Sequence, residues 1–302
     1  MRKIKLGNSD LEVSELGLGC INFGSTTKEM TAFELMDTYV ENGGNFFDTA
    51  NNYAFWEEGF VGGESENTIG NWLSYSGKRK DIVLATKLGA LPKSLEQKDF
   101  SSMQGLGRKT IYEEVEKSLY KLQTDYIDLL YLHVDDYKTP QEETLGALDE
   151  LVAKGWIREI GCSNFRTFRI ESARNICSRY HYKFFCAVQQ RYSYLEPVID
   201  ADFGTQMVVD GDLKAYLNYY KDLTLVAHTP LLYGLYNKGG SIDMPEYDTY
   251  YNREKLKHLL ASEKNPVPFV LKYITQQFKG SVVLSTTSKK EHLIQNMQYF
   301  EQ

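Results

Sequence analysis

Short apolar runs and longer amphipathic stretches alternate along the chain. The runs rich in β-formers are LGLGC (16–20), NFFDTA (45–50), DIVLATK (81–87), IDLLYLHV (127–134), IREIGCS (157–163), CAVQQ (186–190), LTLVAHT (223–229) and SVVLST (281–286). Between them, Ile111, Val115, Leu119 and Leu122 recur at spacings of three and four, as do Leu145, Leu148, Leu151 and Val152, the period of a helix with one buried face. Start signals accompany these helices. Thr110 with Glu113 and Ser288 with Glu291 have capping-box spacing, and Thr139-Pro140 with Glu142 puts proline at a first helical position. Ahead of the first run, RKIKLG, then NSD, then LEVSEL predicts a β-hairpin turning at Asn8, Ser9 and Asp10.

Strands apolar along their whole length, separated by amphipathic helices, predict a parallel sheet covered by helices. Eight such units in 302 residues favour a closed (β/α)8 TIM barrel, one domain over 1–302, with the hairpin closing its bottom. The alternative is an open doubly wound sheet. Its dinucleotide form needs G-x-G-x-x-G after the first strand, but here Gly17-x-Gly19 is followed by Asn22. GLGRKT (105–110) misses the phosphate-loop spacing.

Composition narrows the function classes. The chain has 34 Lys and Arg against 41 Asp and Glu, a formal net charge of −7. An acidic chain with only the short basic runs Lys78-Arg79-Lys80 and Arg108-Lys109 is a poor nucleic-acid binder. No apolar stretch has the length of a membrane span, and MRKIKLGNSD lacks the apolar core of a signal peptide. Cys20, Cys162, Cys177 and Cys186 show no C-x-x-C pair and read as reduced thiols of a cytoplasmic protein. A monomer or weak homo-oligomer acting on a small molecule is expected.

Barrel chemistry sits at the C-terminal strand ends. Those ends carry Asp48, Lys87, His133, Ser163-Asn164, Gln189-Gln190, His228-Thr229 and Ser285-Thr286. A lysine in the mouth needs a counterion, and Asp48 is available. Tyr53 beside Lys87 is expected to have its phenol pKa lowered from ~10 by the ammonium, into the range of a general acid. His133 is placed to bind a substrate oxygen. This set donates a proton to a carbonyl oxygen but supplies no hydride, so a redox cofactor is implied. A metal-dependent hydrolase or aldolase using His133 and Asp135 of HVDD as ligands is a second reading. A regulatory module that senses NADP(H) and turns over slowly is a third. No metal is expected.

The stretches GGNFFDTANNY, GGESENTIGNWL, ATKLG, DYIDLLYLHVDD, GWIREIGCSNF, AVQQRYS, AHTPLLYG and SKKEHLIQN resemble the aldo-keto reductase family over nearly the whole chain. The resemblance implies a (β/α)8 barrel with an N-terminal hairpin. It also implies metal-free hydride transfer from a nicotinamide, usually NADPH, to an aldehyde or ketone. It carries the family's catalytic tetrad onto Asp48, Tyr53, Lys87 and His133, and its nicotinamide-amide contacts onto Ser163, Asn164 and Gln189. Further cofactor contacts fall on Gly19, Cys20, Ile21, His228, Thr229, Leu231, Ser285, Thr286, Thr287, Ser288, His292, Gln295 and Asn296. Two departures stand out. His228 replaces the aromatic Tyr or Trp beneath the nicotinamide ring. Thr286 and His292 replace the Lys and Arg that bind the adenosine 2′-phosphate, which weakens the NADPH preference and admits NAD(H), unless Lys289 or Lys290 compensates. After the proposed acid, Phe55, Trp56 and Phe60 are candidates for an apolar substrate wall. The Tyr-rich stretch 231–251 is long enough for a lid.

Overall fold

The computed structural model of the protein describes residues 1–94, 96, 99–278 and 280–300. A two-stranded antiparallel hairpin comes first, β1 (Lys3–Lys5) with β2 (Glu12–Ser14), pairing Ile4 with Val13. Eight parallel strands follow: β3 (Leu16–Gly19), β4 (Phe46–Asp48), β5 (Val83–Leu88), β6 (Ile127–Leu132), β7 (Ile157–Ser163), β8 (Ala187–Arg191), β9 (Thr224–His228) and β10 (Val282–Ser285). They close in sequence order, and β10 returns to β3 through Val283–Leu16 and Ser285–Leu18 pairs. Every strand predicted from the apolar runs is present, and the closed barrel is the architecture found.

The hairpin seals the N-terminal end. Leu6, Leu11 and Val13 are buried in one cluster with the inward-facing Phe46, Ala85, Leu129, Tyr131, Ala187, Val226 and Leu284. The Gly7 amide donates to Thr224 Oγ1 and Asn45 Nδ2 donates to the Glu12 carbonyl, fastening the plug to the strand starts. The alternate strand positions, among them Phe47, Leu130, Val188, Ala227 and Val283, belong to the second cluster under the helices.

Helices α1 (Glu29–Glu41), α2 (Glu64–Ser76), α3 (Arg108–Leu122), α4 (Gln141–Ala153), α5 (Thr167–Tyr180), α6 (Gly211–Tyr219), α7 (Tyr250–Ser262), α8 (Pro266–Gln277) and α9 (Lys290–Gln298) cover the barrel. Their starts differ from the predicted caps. Thr110 lies inside α3, whose Arg108 amide is instead capped by Glu143 Oε1 of α4 at 2.8 Å. Pro140 precedes α4 rather than opening it, while Thr139 bonds to Asp136. Ser288 stands outside α9, and Thr287 Oγ1 receives the Lys289 amide instead. For α3 the acceptor thus comes from a neighbouring element, and for α9 from the residue before the predicted cap. All four cysteines are buried and unpaired. Among the described residues, no helix is long and apolar enough to cross a membrane.

Candidate active site

The inward-facing set changes character along each strand. On β4 it runs Phe46 then Asp48, on β5 Ala85 then Lys87, on β8 Ala187 then Gln189, and on β9 Val226 then His228. On β6 it runs Leu129, Tyr131 and, one residue past the strand, His133. The two-residue period thus delivers a polar layer directly above the apolar plug. In register, Asp48 pairs with Ala85 and Lys87 with Tyr131, so the ends step by two residues from strand to strand, and the long Lys87 side chain spans the step to reach Asp48.

Lys87 is fully buried. Its Nζ donates to Asp48 Oδ1 at 2.5 Å, to the Thr49 carbonyl at 2.8 Å and to the Tyr53 hydroxyl at 2.8 Å. Those acceptors use all three ammonium protons, so the phenol's own proton is left for another partner. Asp48 also accepts from Gln189 Nε2 at 2.7 Å. Burial works against the Lys87 ammonium, but Asp48 and Tyr53 outweigh it and hold its pKa up. Burial likewise raises the Asp48 carboxyl, and its Lys87 and Gln189 donors pull it back.

The phenol differs from expectation. Burial pushes Tyr53 up to about 12, and the Lys87 ammonium only partly offsets that rise. Proximity of the cation was foreseen, whereas the water lost from around the ring acts in the opposite sense and wins. His133 lies next to Tyr53, with ring centroids 6.1 Å apart. Burial first, then Lys87 and His228, hold it well below the ordinary imidazole value, so it is neutral. Its Nδ1 has no partner.

These groups face a cavity of about 990 Å³ at the C-terminal strand ends. Asp48, Tyr53 and His133 line it, and Lys87 sits behind Tyr53. Of the expected cofactor contacts, Gly19, Ile21, Ser163, Asn164, Gln189, His228, Thr229, Leu231, Thr286, Thr287, His292, Gln295 and Asn296 line the same cavity. Cys20 and Ser285 are buried outside its lining, Cys20 donating to the Leu18 carbonyl and Ser285 accepting from Asn296 Nδ2. Ser288 is exposed beyond the rim. Asn164 is already engaged at both ends, through His133 O at 2.9 Å and the Met207 amide at 3.0 Å. Neither Lys289 nor Lys290 is among the lining residues, and Lys290 Nζ reaches Glu34 at 3.2 Å.

The proposed apolar wall divides. Trp56 lines the cavity, 37% exposed. Phe55 is buried behind it, 5.2 Å from the rings of both Trp56 and Phe100. Phe60 is half-buried outside the lining. In the 231–251 stretch, a 3₁₀ segment at Leu232–Asn237 covers the cavity with Leu232, Tyr233, Gly234 and Asn237. Phe100, and Phe203 to Gln206 in the 192–210 loop, complete the cover. Sequence reasoning missed them, although 19 residues between a strand and a helix is a length that signals a functional loop. As for the metal reading, Asp135 is held by both Arg169 Nε and Nη2 at 2.8 and 2.9 Å, and Asp136 caps Leu106. No cluster of three metal-ligating side chains exists among the described residues.

Residues 15–302 match the model of the Aldo/keto reductase family. The uncharacterized oxidoreductase YrpG of Bacillus subtilis (strain 168) is 38% identical over 192 residues, 63% of this chain and 58% of that protein. The aldo-keto reductase YhdN of the same organism is 32% identical over 243 residues, 79% of this chain and 63% of that protein. The matched segments therefore span less than two-thirds of either relative. The holo form of aldo-keto reductase AKR11C1 from Bacillus halodurans superposes with a TM-score of 0.75 at 29% identity, over 100% of this chain and 91% of that one. With a closed barrel, a polar layer at its mouth and a family match running from residue 15 to the end, the chain belongs to the aldo/keto reductase family.

Proposed function

We propose that the protein reduces an aldehyde or ketone to the alcohol with a nicotinamide cofactor, NADPH ahead of NADH, and that Tyr53 is the proton donor. The observation that carries this is the single ammonium of Lys87 bonded at once to Asp48 and Tyr53 on the cavity floor.

The cavity fits a dinucleotide better than a small carbonyl compound alone. It reaches from Trp56 and Phe100 over the barrel mouth to Thr286, Gln295 and Asn296 at α9. Its lining carries buried ring nitrogens without partners, His133 Nδ1 and His228 Nε2. The α9 N-terminus at one end suits a phosphate, and Ser163 and Gln189 line the cavity with side chains whose chemistry suits a carboxamide. When bound, a reduced nicotinamide supplies hydride to the carbonyl carbon.

The chain's own residues handle the oxygen. Lys87 donates to the Tyr53 oxygen, which turns the phenol proton toward the cavity. A phenol held near about 12 starts protonated at neutral pH. As charge develops on the substrate oxygen, that proton crosses to it. The phenolate left behind is stabilised by the adjacent ammonium, whose charge Asp48 balances. Neutral His133 gives the oxygen a second polar contact without competing for the proton.

Tyr53→Phe tests the assignment. It removes the acid but keeps the ring, so NADPH binding should persist while the single-turnover rate of NADPH oxidation with a generic aldehyde falls by about 10²–10⁴-fold. Both proteins are assayed after exhaustive EDTA treatment, which is expected to leave the wild-type rate unchanged. A variant with near wild-type rate would remove Tyr53 from the mechanism, and a rate lost to EDTA and restored by a divalent ion would revive the metal reading.

A further inference from the structure

Asn52 stands between Asn51 and Tyr53 on the loop leaving β4. The two asparagines have different fates. Asn51 Nδ2 donates to Glu114 Oε2 at 2.8 Å, tying the loop to α3. Asn52 lines the cavity and is 1% exposed. Neither its Nδ2 nor its Oδ1 has a hydrogen-bond partner within the protein.

A buried primary amide without partners is costly at both ends, because donor and acceptor have each left water with nothing in exchange. Of its neighbours, Asn51 also keeps an unpaired Oδ1 but lies outside the cavity lining. Trp56 and Phe100 present rings, Tyr53 is held by Lys87, and Asn51 by Glu114. Among the lining residues of this loop, Asn52 is the one whose side-chain amide is unpaired at both ends, one residue from the proton donor. Its chemistry is specific. Oδ1 accepts and Nδ2 donates, and a hydroxyl group can answer either.

We infer that Asn52 is a specificity-determining residue that selects carbonyl compounds bearing a hydroxyl group close to the reacting carbonyl, such as α-hydroxy aldehydes, over their deoxy counterparts. The inference rests on the carbonyl-reductase reading above. A site built to bond a hydroxyl rejects the analogue lacking it, since the buried polar group then stays unpaired. The aromatic faces of Trp56 and Phe100 accommodate the carbon skeleton, so selection falls to the amide.

The experiment compares D-glyceraldehyde with propanal as paired substrates, using NADPH, wild-type protein and Asn52→Leu, which keeps the branched shape of the side chain and removes both polar atoms. We expect wild-type kcat/KM to favour glyceraldehyde by at least 10-fold, and the ratio to fall at least 10-fold in N52L. A thermal melt accompanies the kinetics. An amide without partners in the protein predicts that N52L melts at or above the wild-type temperature. A drop of several degrees would show that the amide is a structural bond and overturn the inference. Turnover of both aldehydes with no preference, or a preference unchanged in N52L, would overturn it while leaving the reductase reading intact. Wild-type protein that oxidises NADPH with neither aldehyde nor a broader carbonyl panel would overturn both.

Discussion

His228 ends β9 beside Arg191, its register partner on β8. Burial, then Arg191 and Lys87, bring its pKa down to about 3, against ~6.5 in an unfolded chain. The consequence for stability has a definite sign. The folded protein keeps this ring neutral while the unfolded chain takes up a proton below ~6.5, so stability present at neutral pH is lost as pH falls from there toward 3. One proton's difference gives a slope of at most ~1.4 kcal/mol per pH unit. His228→Tyr removes that contribution and widens the ring face offered to a nicotinamide. Urea denaturation between about pH 7 and 4.5 should therefore show a shallower acid-side decline in the variant. Identical slopes would mean that the ring is solvated in the folded state. The residue type and place of His228 are legible in LTLVAHT, but its protonation is not. Desolvation and a cation arriving from residue 191 exist only once the strands are paired, which is also why the Tyr53 shift took the opposite direction from the one the motif suggested.

Between elements, close approach matters more than propensity. Gly70 lies in α2, where an added Cβ would run into the Lys121 carbonyl oxygen and stand 2.9 Å from the Leu122 carbonyl carbon at the end of α3. Alanine is the better helix former by ~1 kcal/mol, yet these contacts are backbone and cannot swing aside. Gly70→Ala is expected to destabilise the protein by about 1–3 kcal/mol, the range for overpacking a filled interface, read as a lower midpoint in chemical denaturation. A stabilised variant would show that α2 and α3 separate freely. The apolar stripes along α3 and α4 were readable from the chain, because each helix carries its own period. The caps were not, since α3 takes its N-terminal acceptor from Glu143, 35 residues from Arg108, and no local spacing encodes such a bond.

At the scale of the molecule, one cavity joins the β4 loop to α9, segments more than 230 residues apart in the chain, through Trp56 at one end and His292 at the other. Thr286, Thr287 and His292 line it there, and the nearby Lys290 is drawn away to Glu34 of α1. A 2′-phosphate in that end meets hydroxyls and an imidazole rather than a guanidinium, the group best matched to it. His292→Arg should tighten NADPH by about one to two decades, the worth of one added charged hydrogen bond, and leave NADH unchanged. Dissociation constants for both cofactors check this. Equal tightening of both, or of neither, would place the phosphate elsewhere.

Eight apolar runs and the helical periods between them determined a parallel sheet covered by helices, because each strand must bury two faces and each helix one, and eight units favoured the closure that the β10–β3 pairing completes. The same period of two determined which polar residues share the mouth, so Asp48, Lys87, His133, Gln189 and His228 were identifiable from their places at strand ends. Tertiary structure alone decided what those residues became. Whether an asparagine ties a loop down, as Asn51 does to Glu114, or faces a cavity unpaired, as Asn52 does, depends on a helix that begins more than 50 residues later. Whether an ammonium lowers a phenol depends on how much water the surrounding wall excludes. Both are properties of packing between distant segments, where a side chain's solvent and partners are set, and the linear order of residues carries neither.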